Sequence, residues 1–182
     1  MQWRNASSHY GLLSVMLHWS MAVWVFGLFG LGFWMVDLDY YSSWRQTAPD
    51  LHKSLGVLLF AVLLLRVLWR VCSPPPTALN SYSRFTRLAA SIAHNVLLLG
   101  LLVVMLAGYL ISSADGHGIS VFGWFEVPAL FSAFSDQEDI AGAVHKYLAW
   151  GLMIVAGLHA LAALKHHFID RDRTLMRMLG RA

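Results

Sequence analysis

Four long apolar stretches, separated by polar segments, run along the chain: about Leu12 to Val36, Lys53 to Val71, Leu88 to Ser112 and Val144 to Leu164. Each approaches or exceeds the ~20 residues that carry a helix across a ~30 Å hydrocarbon core. Backbone inside lipid must satisfy its own N–H and C=O groups, so runs of this kind predict transmembrane helices. The expected architecture is all-α, an integral membrane four-helix bundle forming one domain over residues 1–182. The first run is too long for a signal-peptide core, lacks a small-x-small cleavage site and contains His18, which predicts a retained helix. Ser73-Pro74-Pro75-Pro76 cannot continue a helix and ends the second span. The link from Ser113 to Ala143 carries Gly116, Gly118 and Gly123 among Phe122, Trp124 and Phe125, and predicts a short amphipathic cap over one end of the bundle.

Composition strengthens the membrane reading: 58% of the 182 residues are hydrophobic and 13% charged, a mean hydropathy of +0.57 beyond that of a soluble domain. Charge then sets an orientation. Arg4, Arg66, Arg70, Arg84, Arg87, Lys165, Arg171, Arg173, Arg177 and Arg181, ten of the thirteen basic residues, belong to one end of the bundle. The other end has Arg45, Lys53 and Lys146 against eight carboxylates, from Asp37 to Asp139. The positive-inside rule predicts that both termini are cytoplasmic, in a bacterial inner membrane. A sequence pI near 9.2 follows from these flanking residues, so the expected surroundings are a lipid bilayer, with no nucleic acid. The lone cysteine, Cys72, excludes an intramolecular disulfide and a CxxC metal site, and its position predicts an interfacial small hydrophobe.

Histidines supply the chemistry. His145 and His159 are fourteen residues apart in the fourth span, which returns them to within about 40° of one face and separates them by ~21 Å along the axis. His52 opens the second span and lies at the depth of His145. His18 and His159 each fall ~9 to 10 Å from the opposite boundary. Imidazole in lipid is costly without a task, and two pairs at two depths suit two haems b, His52 with His145 and His18 with His159. Both axial positions would be filled, which favours electron transfer over oxygen chemistry. With no C-x-x-C-H in the chain, such haems would not be covalently attached. Gly27, Gly30, Gly32, Gly56, Gly100, Gly108, Gly142, Gly151 and Gly157 offer slots for a flat cofactor, or close helix packing without one. His94 shares the depth of His18 and His159, and depth alone does not choose among them. His166 and His167 at the basic end fit a quinone headgroup or the inner haem's propionates. Arg66 and Arg70 fit a propionate clamp, or cations snorkelling to the headgroups. His9 and His117 lie in water-facing segments and are given no role.

The residues Leu17-His18-Trp19, Leu51-His52-Lys53-Ser54-Leu55-Gly56, Leu65-Arg66-Val67-Leu68-Trp69-Arg70, His145 with Gly157-Leu158-His159-Ala160, and Ala163-Leu164-Lys165-His166-His167-Phe168 leading into Leu175-Met176-Arg177-Met178-Leu179 together resemble the bacterial cytochrome b561 family along nearly the whole chain. The resemblance implies a di-haem four-helix bundle ligated in the pairs above, and ubiquinone as the electron partner. Some members of that family resemble superoxide oxidases, which pass an electron from superoxide at the outer face to ubiquinone. Here the outer links are acidic, an environment that repels an anion, and only Lys53 and Lys146 adjoin the outer histidines. A small cationic or soluble protein donor therefore stays beside superoxide.

Two further readings remain open at this level. One is a cytochrome b subunit that anchors a soluble dehydrogenase or hydrogenase. The other is a histidine-based metal or proton transporter, although zinc sites and proton relays usually recruit carboxylates and no Asp or Glu lies within the four spans.

Overall fold

A computed structural model describes residues 2–79, 81–131 and 135–181. Five helices and one small sheet follow in the order α1 (Leu12–Met35), α2 (Trp44–Cys72), α3 (Arg84–Ser112), β1 (Ile119–Val121), β2 (Phe125–Val127), α4 (Gln137–Phe168) and α5 (Thr174–Met178). The four long helices are each apolar and long enough to cross a membrane, and large apolar side chains such as Val23, Phe26, Leu64, Leu99 and Ile154 are exposed on their outsides. Lipid is the solvent such a surface needs.

Three helices overrun their apolar windows, because hydropathy marks the lipid-facing portion while hydrogen bonding continues into water. α2 begins nine residues before Lys53 and contains Pro49 in its second turn, where a missing N–H removes one intrahelical bond. α3 starts at Arg84, with the Ser83 hydroxyl accepting from the Thr86 amide at 3.1 Å, an N-cap. α4 gains a polar first turn with Glu138 and Asp139, and ends on Lys165, His166 and His167, charges placed to suit the helix dipole.

The long helices form two hairpins, α1 on α2 and α3 on α4, with a smaller contact between α2 and α3. Met21 and Leu28 pack on Leu59 and Leu63 in the first hairpin. In the second, Gly100 lets Leu152 approach so closely that a Cβ would lie 2.7 Å from its Cδ2. The segment expected to cap the acidic end is a small β-hairpin. Its glycines turn the chain into an antiparallel hairpin pairing Ile119 with Val127 and Val121 with Phe125, with Gly123 at a positive φ of 71° in the turn. Ile119 and Val121 are buried, alternating with exposed Ser120, so period-two burial prevailed over a helical face. Ser54 of α2 pins this hairpin: its hydroxyl donates to the Ser120 carbonyl at 3.4 Å and accepts from the Phe122 amide at 3.2 Å. At the basic end, the Trp19 indole donates to the Met178 carbonyl at 2.8 Å and fastens α5 beneath α1. Cys72 is exposed at the end of α2.

Candidate functional site

His145 and His159 turn to the same side of α4, as a fourteen-residue spacing requires. Each meets a histidine from the other hairpin. His52 and His145 lie with ring centroids 6.1 Å apart and planes 70° from parallel. His18 and His159 lie 6.4 Å apart at 66°. The first pair belongs to the acidic end, the second to the basic end. Both pairs connect helices, α2 with α4 and α1 with α4, that have no extensive backbone packing among the described residues.

The distances test whether a metal-centred cofactor fits. A metal–imidazole bond is about 2 Å, and two such bonds in line, with the reach from each nitrogen to its ring centre, amount to about 6 Å. Both pairs meet that requirement. Clearance is supplied on the acidic side by glycines: a Cβ on Gly32 would come within 3.1 Å of His52 Cε1, and one on Gly108 within 3.1 and 3.2 Å of His145 Cε1 and Nδ1. The other glycines named from the sequence, Gly27, Gly30, Gly56, Gly142, Gly151 and Gly157, face open space, and Gly100 serves packing instead. Trp150 of α4 meets Phe29 and Phe33 of α1 edge to face at 4.9 and 6.1 Å, an aromatic contact that ties α1 to α4.

Each ring is oriented differently. His145 Nδ1 is 2.8 Å from the Val104 carbonyl, which fixes it as the protonated nitrogen and leaves Nε2 free to coordinate. Among the described residues His159 has no carbonyl partner of this kind; His94 stands against it edge to face at 5.2 Å. His18 Nδ1 is 3.3 Å from Nη2 of Arg66, so Arg66 points into the bundle and does not snorkel to the headgroups. The physical reason is visible in its neighbours: the Met21 sulfur, 3.8 Å from Nη1, offers a weak acceptor and the His18 ring lies alongside, while no carboxylate pairs with Arg66 among the described residues. A half-buried guanidinium without an anion is incomplete, and a cofactor bearing carboxylates suits it. Arg70 remains exposed.

His166 and His167 separate in role. The His167 ring rests on Phe168 at 4.8 Å, with Nδ1 buried and unpartnered among the described residues. His166 Nδ1 is 2.7 Å from an Asp170 oxygen and 3.4 Å from Asp172, and its ring lies 5.0 Å from that of Tyr82. The Tyr82 hydroxyl donates to Asp172 at 3.0 Å and also touches the Thr174 hydroxyl. Lys165 holds both oxygens of Asp170 at 2.9 and 2.7 Å and keeps that carboxyl below its ordinary range, with His166 assisting. Burial pushes Asp172 up, but the Thr174 amide and hydroxyl, Tyr82 and His166 outweigh it and the carboxyl titrates low. Burial is also the main reason that the Tyr82 phenol is raised. Nothing in the sequence points to Tyr82, Asp170, Asp172 or Thr174 at this place: Tyr82 lies in the link before α3, and the turn after α4 that brings the others to it has no periodicity to read. The Val104 carbonyl and the Phe29, Phe33 and Trp150 layer were equally hidden, being backbone or ordinary apolar residues.

Comparison with known proteins identifies relatives along the whole chain. The chain is 53% identical over 182 residues to cytochrome b561 homolog 2 of Escherichia coli strain K12, covering 100% of this chain and 97% of that protein. It is 28% identical over 172 residues to the probable superoxide oxidase CybB of Yersinia pestis, covering 93% and 95%. Against cytochrome b561 homolog 1 of E. coli K12 the identity is 27% over 181 residues, covering 96% and 98%. Residues 9–181 match the prokaryotic cytochrome b561 family, and the chain belongs to that family of membrane electron-transfer cytochromes.

Proposed function

We propose that the protein carries electrons across a bacterial inner membrane between two haems b, one held by His52 and His145 and the other by His18 and His159, and exchanges them with ubiquinone. The observation that carries this reading is the pair of imidazole gaps, 6.1 and 6.4 Å, each bridging helices from different hairpins. Held by His52 with His145 and by His18 with His159, haem b would supply one-electron redox chemistry.

The chain's own residues do the rest. Val104 sets the His145 tautomer, Gly32 and Gly108 give the outer rings room, and Arg66 with Arg70 supplies cations for haem propionates. The termini and the basic end face the cytoplasm, in keeping with the charge asymmetry. Quinone exchange belongs at this end, where His166 and His167 present imidazoles and Asp170 with Asp172 occupies the Nδ1 side of His166. The histidines serve as ligands rather than as a path for transported metal or protons.

A cavity of about 460 Å³ at the acidic end is lined by Asp50, Leu51, Lys53 and Ser54 beside His52, and by Ser120 and Phe122 of the cap. It offers an entry point for a small electron donor. A second reading takes superoxide as that donor, and the name of the Y. pestis relative and this cavity favour it. Weighing on the other side, Lys53 is paired with Asp50 at 2.8 Å, and so contributes little of the positive potential an anion needs.

Spectroscopy tests the main reading. The purified protein should contain two haems per chain with a b-type reduced spectrum, and His159→Ala should retain one. Full occupancy in that variant overturns the pairing. Stopped-flow mixing with superoxide and with ubiquinol separates the donors: haem reduction by superoxide and reoxidation by ubiquinone supports the second reading, and unreactivity toward superoxide removes it.

A further inference from the structure

At the basic end, three segments outside the long helices enclose a cavity of about 380 Å³, within the ~300–1,000 Å³ of small-ligand sites. Its lining includes Ser7 and Ser8 from the segment before α1, Thr77 after the end of α2, and Arg173 and Arg177 of the α5 region. None of the described lining residues is acidic. The two carboxylates of the same tail, Asp170 and Asp172, are engaged by Lys165, His166, Tyr82 and Thr174.

The walls are held by backbone bonds. The Thr77 amide and hydroxyl both donate to the Ser7 carbonyl at 3.0 Å. Asn5 fastens the N-terminal segment to the proline run through Ser73 and Pro74, at 2.8 to 3.1 Å. Arg177 donates from both terminal nitrogens to the Thr77 carbonyl at 3.1 Å, but its Nε is buried without a partner among the described residues. Arg173 is exposed at the rim. Two guanidiniums, one with an unsatisfied buried donor, in a lining without carboxylates among the described residues call for a compact anion with several acceptor oxygens. The cavity lies just beyond where α1 begins and α2 ends, at the level of lipid headgroups.

We infer that this cavity binds the phosphate of an anionic phospholipid headgroup, with Arg173 and Arg177 as its charged contacts and the Ser7, Ser8 and Thr77 region as its wall. Basic recesses at the ends of membrane helices are suited to such headgroups. The site is independent of the haem assignment.

The full-length protein as purified, in detergent, is titrated by native mass spectrometry and thermal shift with phosphatidylglycerol, phosphatidylcholine and inorganic phosphate in turn. Phosphatidylglycerol should bind about five- to tenfold more tightly than phosphatidylcholine, whose phosphate carries its own cation. Arg173→Gln should abolish most of that preference while leaving the haem spectrum unchanged. Because Arg177→Gln can loosen α5, Arg173→Gln carries the decision. Stabilisation by inorganic phosphate alone, lost in Arg173→Gln, supports the same chemistry with a soluble source. Equal binding of both lipids with no phosphate effect, or an unaltered preference in Arg173→Gln, overturns the inference.

Discussion

The two ends of the bundle solve one geometric problem in different ways. At the acidic end the imidazole gap is bounded by absence of bulk: Gly32 and Gly108 stand where any larger residue would press on His52 and His145, a backbone carbonyl orients His145, and a hairpin roofs the opening. At the basic end no glycine Cβ among the described residues meets His18 or His159 as its nearest neighbour. There the neighbours are polar and bulky, Arg66 on His18 and His94 on His159. Yet the gaps agree to within 0.3 Å, 6.1 against 6.4 Å. Similar spacing therefore does not imply similar support, and the ends should respond differently to substitution.

The largest expected effect is on occupancy. His145→Ala should remove the acidic-end haem and leave the other, giving one haem per chain by pyridine haemochromogen assay; loss of both would show that the ends are not independent. Next, Gly108→Leu should disable the acidic end alone, since a side chain forced against His145 costs about 1–3 kcal/mol or more. Difference spectra resolving the two haems check this, and an equal response of both would erase the contrast.

A smaller effect is predicted for Arg66→Met. Removing a cation from the basic end favours the oxidised iron there, so that haem's midpoint potential should fall in a redox titration while its partner's stays fixed. An unchanged potential would leave Arg66 without the electrostatic role given to it. Ser54→Ala, which deletes both hydrogen bonds pinning the cap, should cost about 1–2 kcal/mol locally. Hydrogen exchange at residues 119–127 should rise without a change in haem content. Smallest is a pH effect at the tail. Asp170 and Asp172 titrate below their ordinary range, so the stabilisation they lend is present above the unfolded carboxylate pKa of about 3.9. It is lost as pH falls through their folded values. Amide exchange of α5 should quicken only in acid below about pH 4.

The four spans were legible because a bilayer imposes length and hydropathy together. The imidazole depths were legible because helical rise is constant: His145 and His159 needed only their spacing, and His18 and His52 followed from the ends of their spans. The cap was read as amphipathic, but its three-residue strands are too short for periodicity to distinguish from a surface turn. Arg66 was open to two readings because a long side chain can go up or inward, and only the surrounding acceptors decide. The cluster around His166 required tertiary knowledge, since Tyr82 is contributed by the link before α3 and Asp172 by the turn before α5. Depth alone places His94 at the level of His159, and the edge-to-face contact between them required the packing of α3 on α4.

The layer of Phe29, Phe33 and Trp150 has an energetic corollary. It ties α1 to α4 through apolar rings, with no titratable side chain in that ring stack to relay a proton. In the proposed function an electron would pass between the two imidazole pairs with no proton carried by those rings, so each transfer would work with or against the membrane voltage, at about 2.3 kcal/mol per 100 mV for a full crossing. A membrane-spanning cytochrome of this build would be a generator or consumer of voltage, and its direction of flow would be set partly by the energised state of the cell.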